Sequence, residues 1–319
     1  MNELQELQRE LQEAAAAIAR AERSVVAHPH VPSTGATLRT IRKRHENLEG
    51  RFLAIANAMG LDVCSYRIEL PDSQRATIAG MTAVLSSFQK VFTSVYDSVV
   101  NGPKKSAKSG ADVIKATALE FAYTFPGSLG IMMTLDNERL LLSETDLDVA
   151  MKKTLDLITY DNPSQIQEAV VNVGLPAVRL AYQWAYENAK AGYGADIAWQ
   201  RGGVPKFEVR IQTQEISRLA SVIKGATAKE EVALVGDLLR VSLPDRTFQM
   251  AVEGKSIQGS FDDAISQSNP VQLPRRYRAV LNVQEKIVSE SGEDEITYFL
   301  LRLEPDKGEN NLLPVASVS

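Results

Sequence analysis

Leu4, Leu7, Leu11, Ala14, Ile18, Ala21 and Val25 recur at alternating intervals of three and four, which places them on one face of an α-helix in the a/d register of a coiled coil. The pattern stops at His28-Pro29-His30-Val31-Pro32, where proline removes a backbone donor and disfavours helix in the residue before it. It resumes over residues 37–59, with Leu38, Ile41, His45, Leu48, Phe52, Ile55 and Met59 in the same alternation and Gly60 as a stop. Two heptad helices joined by a short proline loop predict an antiparallel helical hairpin over residues 1–60. Its seam residues Leu4, Leu7, Leu11, Ile18, Leu38, Ile41, Leu48 and Phe52 are the expected oligomerisation contacts. The charges point the same way. Helix one begins acidic (Glu3, Glu6, Glu10, Glu13) and helix two begins basic (Arg39, Arg42, Lys43, Arg44). Antiparallel packing sets the acidic start beside residues 46–55, where Arg51 alone is positive, so complementarity favours a second copy or another protein. Pairing within or between chains stays open.

Residues 61–203 read as a central α+β unit with a small antiparallel sheet. A strand fits 63–70, and Pro71-Asp72-Ser73 is expected to cap a long helix ending at Val100. Leu119, Phe121, Tyr123 and Phe125 alternate with less apolar residues at the period of a half-buried strand. A hairpin over 129–142 is expected to turn at Asp136-Asn137. Thr145 reads as the N-cap of a helix to Thr159, and Pro163 opens a helix through Ala191, bent at Gly174 and Pro176. After Arg201-Gly202-Gly203, read as a linker, residues 204–305 carry a strand at 207–211, a helix at 214–224 and then closely spaced strands with glycine turns. That spacing predicts a small β-barrel of OB-like or SH3-like shape. Residues 306–319 read as a flexible tail. The fold class is α+β.

Hydrophobic content of 44% and charged content of 24% belong to a globular chain, and a net charge of −5 argues against a wholly basic nucleic-acid binder. The lone cysteine, Cys64, excludes an intramolecular disulfide and a multi-cysteine zinc site. An acidic amphipathic start and the want of a long apolar run lead to the expectation of a cytoplasmic protein with no membrane contact.

Candidate chemistry is sparse. His28 and His30 flank Pro29 without further ligands, and His45 sits at a heptad core position, where polar residues more often fix register. No metal or cofactor is expected. Asp136, Glu138, Glu144, Asp146 and Asp148 cluster in sequence, but turn and helix-start preferences account for them; Glu120 lies on the polar face of its strand without an evident partner. Neither a nucleophile elbow around Ser128 nor a phosphate-binding glycine loop is present. Three basic patches remain: Arg42 and Arg44 with their neighbours, Lys104 and Lys105, and Arg275, Arg276 and Arg278 around Tyr277. The last combines charge with an aromatic stacking candidate, so these residues are the expected anion or nucleic-acid contacts.

The expected function is a non-enzymatic binding or scaffold subunit, bacterial, that forms a homo-oligomer or joins a protein complex and uses its barrel to contact a protein or nucleic acid. A DNA- or RNA-binding effector of defence or repair is one alternative. A hydrolase or nuclease using carboxylates of the central sheet is the other.

Overall fold

The computed structural model describes residues 3–71, 75–106, 108–125, 129–137, 144–266, 270–288 and 295–306. It is α+β, and the chain divides into two units, 1–226 and 227–319. The boundary expected from the sequence lies at 203/204. Gly202 and Gly203, both at positive φ, form a tight hairpin turn between two paired strands and not a linker.

In the first unit α1 (Glu3–Ala27) and α2 (Pro32–Ala58) form the hairpin. Helix α2 starts five residues earlier than the periodicity indicates, because Pro32 takes the first turn, where its missing N–H is not needed. Strands β1 (Leu61–Glu69), β2 (Glu120–Phe125), β3 (Gly130–Asp136), β4 (Gly194–Arg201) and β5 (Val204–Ile211) make an antiparallel sheet of order β2-β3-β1-β4-β5. Strand β1 is therefore central. Helices α3 (Ile78–Asn101), α4 (Ala111–Ala116), α5 (Asp146–Thr159), α6 (Pro163–Val173), α7 (Leu175–Ala191) and α8 (Thr213–Gly225) complete the unit. Helix α3 begins at Ile78, not after Pro71, because the Thr77 side chain accepts from Gly80 N–H and supplies the cap. Gly174, at φ +84°, separates α6 from α7, so the expected bend is a break. The second strand of the hairpin expected at 139–142 lies outside the described residues.

The two faces of the sheet are covered differently. Tyr66 meets Phe88 edge-on, Phe92 packs near Trp199, and Trp184 Nε1 donates to Tyr66 Oη, which joins one face to α3 and α7. Cys64 on this face is fully buried, and burial pushes its thiol up to about 12, so it is an inert core residue. The hairpin covers the other face. Leu4, Leu7, Leu11, Leu48 and Phe52 share one core with Val63, Tyr123 and Met132, and burying each large apolar side chain contributes about 1.5–3 kcal/mol. The seam read as an oligomerisation surface is thus covered by the chain's own sheet. Ile18 is buried as well, whereas Leu38 and Ile41 are half-buried. The charges also close within the chain, since Arg42–Glu22, Arg44–Glu10 and Arg51–Glu3 pair across the two helices at 2.8, 3.9 and 3.7 Å.

The second unit holds β6 (Thr227–Ser242), β7 (Thr247–Val252), β8 (Lys255–Phe261), β9 (Arg275–Lys286) and β10 (Ile296–Pro305), a closed barrel of order β10-β8-β7-β6-β9. Leu238, Phe248, Met250, Phe261, Leu281 and Leu300 are among its core residues. All neighbouring strands are antiparallel except β8 and β10, which close the barrel in parallel over Gly259–Phe261 and Tyr298–Leu300. Gly259 permits that closure, because a side chain there would strike the Tyr298 carbonyl.

Candidate ligand-binding cleft

The hairpin does not cover its whole face of the sheet. Beyond the apolar core, α2 and the sheet enclose a cleft of about 340 Å³, a size suited to a small ligand. Pleating decides what lines it. On β1 alternate residues face opposite ways, so Ser65 and Arg67 point toward the hairpin while Cys64, Tyr66 and Ile68 enter the other core. Register then sets two rows across the sheet. One runs Phe125, Gly130, Arg67, Asp196 and the next runs Tyr123, Met132, Ser65, Ala198. Gln200 lies opposite Val63 and lines the same space. From α2 come Arg42, His45, Glu46 and Glu49.

Arg67 is the centre of this site. Its guanidinium sits over the Phe125 ring, 5.1 Å from the centroid. Phe125 can lie there because it occupies the space a side chain on Gly130 would take. The Nε of Arg67 is buried without a hydrogen-bond partner, and no carboxylate pairs with its guanidinium among the described residues. Among the described residues the side chain of Asp196, directly opposite on β4, likewise forms no ion pair or hydrogen bond.

His45 is 5% exposed and contributes a second unsatisfied atom, the buried Nε2. Burial lowers its pKa, against the opposing pull of Glu49 and Glu46, so the ring is neutral at pH 7. Its Nδ1 is 3.9 Å from Glu49 Oε2, too long for a hydrogen bond. Tyr123 Oη donates a long bond of 3.4 Å to Glu49 Oε1, and burial together with that carboxylate holds the phenol well above its ordinary pKa. An unsatisfied buried polar atom costs about 1–3 kcal/mol. Two such atoms belong to residues that line this cleft.

No family model, no curated protein and no solved structure matches the chain. Its function must be read from these side chains.

Of the residues expected from sequence, Arg42 and Ile18 line the cleft; the others are placed elsewhere. Tyr277 is no stacking platform: it is buried in the barrel, where its hydroxyl accepts from Gln272 N–H and donates to Gln272 C=O. Arg276 and Arg278 share an exposed face of β9, as alternation requires. Carboxylates flank both, since Arg276 lies between Asp237 on β6 and Asp306, and Arg278 lies opposite Glu304 on β10. Arg275 donates to Gln272 Oε1. In the first unit Lys104 pairs with buried Asp97 at 2.7 Å and helps hold the end of α3, while Lys105 is exposed. Arg42 and Arg44 are engaged by Glu22 and Glu10. His28 and His30 are exposed in the turn between α1 and α2. Among the described residues no group of three or more His, Cys, Asp or Glu side chains is placed to hold a metal, and no helix is long and apolar enough to cross a membrane.

Of the acidic cluster, Asp148 has a structural role, and Glu138 lies outside the described residues. Asp148 closes a capping box with Thr145 at the start of α5. It is fully buried beside Asp62, and Arg201 joins the two, donating to both carboxylates at 2.8–3.0 Å. Lys206 and Trp199 complete the shell of Asp148.

Proposed function

We propose that the protein is a non-enzymatic binding protein whose ligand site is the cleft between α2 and the sheet. The observation that carries this reading is Arg67, a cation on a central strand, stacked on an aromatic ring and without an acidic partner among the described residues. A guanidinium so placed offers a forked donor to a carboxylate or similar planar anion. Binding is favoured over hydrolysis because His45 and Glu49 do not hydrogen-bond, so no carboxylate orients the imidazole as a base. For the barrel, the alternation of arginine and carboxylate across β9 and its neighbours supports a protein partner over nucleic acid, which would favour uninterrupted positive charge.

A thermal-shift screen of small polar and charged compounds, repeated on Arg67→Gln, tests the cleft. Compounds that raise the midpoint of the wild-type protein should leave the variant unmoved. If no compound shifts the wild type, or if the hits act equally on the variant, the cleft is not the binding site.

A further inference from the structure

We infer that the ligand of this cleft is an amino-acid-like zwitterion, its carboxylate held by Arg67 and its ammonium group by Asp196. The inference rests on the binding reading above and adds the chemical class. Arg67 and Asp196 are directly opposite in the register of β1 and β4. Such neighbours have Cβ atoms about 5 Å apart, well within reach of an ion pair. No pair forms. The guanidinium turns instead to Phe125, which Gly130 admits, and Arg210, opposite Asp196 on β5, pairs with Glu69, so the Asp196 carboxylate has no ion-pair partner among the described residues. Adjacent opposite charges that do not neutralise each other present one cationic and one anionic pole to the same small volume. An α-amino acid carries both complementary groups on a single carbon and can meet both poles together.

The remaining charges narrow the class. Arg42 is engaged by Glu22 at 2.8 Å. Arg67 is then outnumbered by Asp196, Glu46 and Glu49 along the lining. Glu46 and Glu49 lie on α2, whereas Asp196 lies on the sheet, so a second cationic group would be met on the helical side. Lysine or arginine, free or within a dipeptide, satisfies this pattern. A polyanion is repelled by the three carboxylates, and a pure polyamine leaves Arg67 unsatisfied.

Isothermal titration of the full chain with L-lysine, L-arginine, spermidine and glutarate tests the inference. Wild type, Arg67→Gln and Asp196→Asn are compared, with thermal midpoints as the folding control. Neither residue is engaged in an ion pair among the described residues, so both variants should fold. Lysine or arginine should bind at least tenfold more tightly than spermidine or glutarate, and each variant should weaken that binding at least tenfold. Equal binding of glutarate or spermidine, or an Asp196→Asn variant with unchanged affinity, overturns the zwitterion and leaves the cleft standing. So does a screening hit of another class that depends on Arg67 while neither amino acid binds. Affinity unchanged in Arg67→Gln overturns the cleft reading together with the inference.

Discussion

Phe125 lies across Gly130, its ring filling the volume where a side chain on Gly130 would project. The two are opposite residues of β2 and β3, and Arg67 is the next residue in the same row. Glycine weakens a strand interior through its backbone freedom, and here its absent side chain seats the ring that carries the guanidinium. Gly130→Ala should displace Phe125, cost about 1–3 kcal/mol through overpacking, and abolish whatever binding depends on Arg67. Denaturant melts and ligand titration check the two effects separately. A variant of full stability and full affinity would show that the ring is not held by Gly130.

The paired carboxylates behind the sheet define a second prediction. Replacing Arg201 with Met leaves Asp62 and Asp148 buried without their shared cation, and breaking a buried pair costs about 3–5 kcal/mol. The variant should show a correspondingly reduced urea midpoint.

The same network gives a pH dependence. Burial works against the charge of Asp148, but bonds from Lys206, the Thr145 backbone, Arg201 and Trp199 outweigh it and hold the carboxyl at about 2. The folded pKa lies below the ordinary value of 3.8, so this stabilisation is complete above about pH 4 and is lost as pH falls toward 2. Urea melts from pH 5 to 2.5 should therefore steepen their loss of stability below pH 4. Asp148→Asn should be less stable at neutral pH and should lose less as the solution is acidified.

His45 presents the opposite case, a buried polar atom without a hydrogen-bond partner. His45→Leu removes the unsatisfied Nε2 and should stabilise the apo protein by about 1 kcal/mol, while weakening ligand binding. The wild-type imidazole titrates below 6.5 in the fold, so the unfolded chain takes up its proton first and folding weakens as pH falls through 6.5. The stability gap between variant and wild type should therefore be larger at pH 5.5 than at pH 8. A variant less stable at both values would show that the ring packs as an ordinary core residue.

On the barrel, Arg276→Glu/Arg278→Glu should leave oligonucleotide binding and its salt dependence unchanged, because each arginine already faces carboxylates. Fluorescence anisotropy with single- and double-stranded oligonucleotides reads this directly. Loss of measurable binding by the variant would return the barrel to nucleic-acid recognition.

The elements with strong local signals were legible in the sequence. The heptad pattern located α1 and α2, Thr145 announced α5, and alternation with glycine turns located the barrel strands within a few residues. The cleft was not, for two reasons. Strand β4 was not read as a strand, although Ala195, Ile197 and Trp199 alternate with Asp196, Ala198 and Gln200 at a period of two. That alternation was obscured by the aromatic residues Tyr182, Trp184 and Tyr186 before it and the paired glycines after it. The second reason is topological. Ser65 and Arg67 look unremarkable on an isolated strand, and become informative only once β1 is central with helices over both faces. A polar row on the middle strand of a covered sheet is then a candidate site. Likewise Leu4, Leu7 and Leu11 fix a buried stripe, yet periodicity does not say whether a second helix, a second copy or a sheet buries it.

The parallel closure of β8 on β10 makes the barrel a single rolled sheet with a latch. The latch spans Tyr298 to Leu300, whereas the adjoining β9–β10 ladder runs from Ile296 to Pro305. Thermal breathing should begin there, exchanging those latch amides with solvent before any others in the barrel strands. Unlatched, the unit becomes an open five-stranded sheet of order β8-β7-β6-β9-β10, with two raw edges able to recruit strands from other molecules. The short latch that completes the barrel is thus also where its aggregation would start.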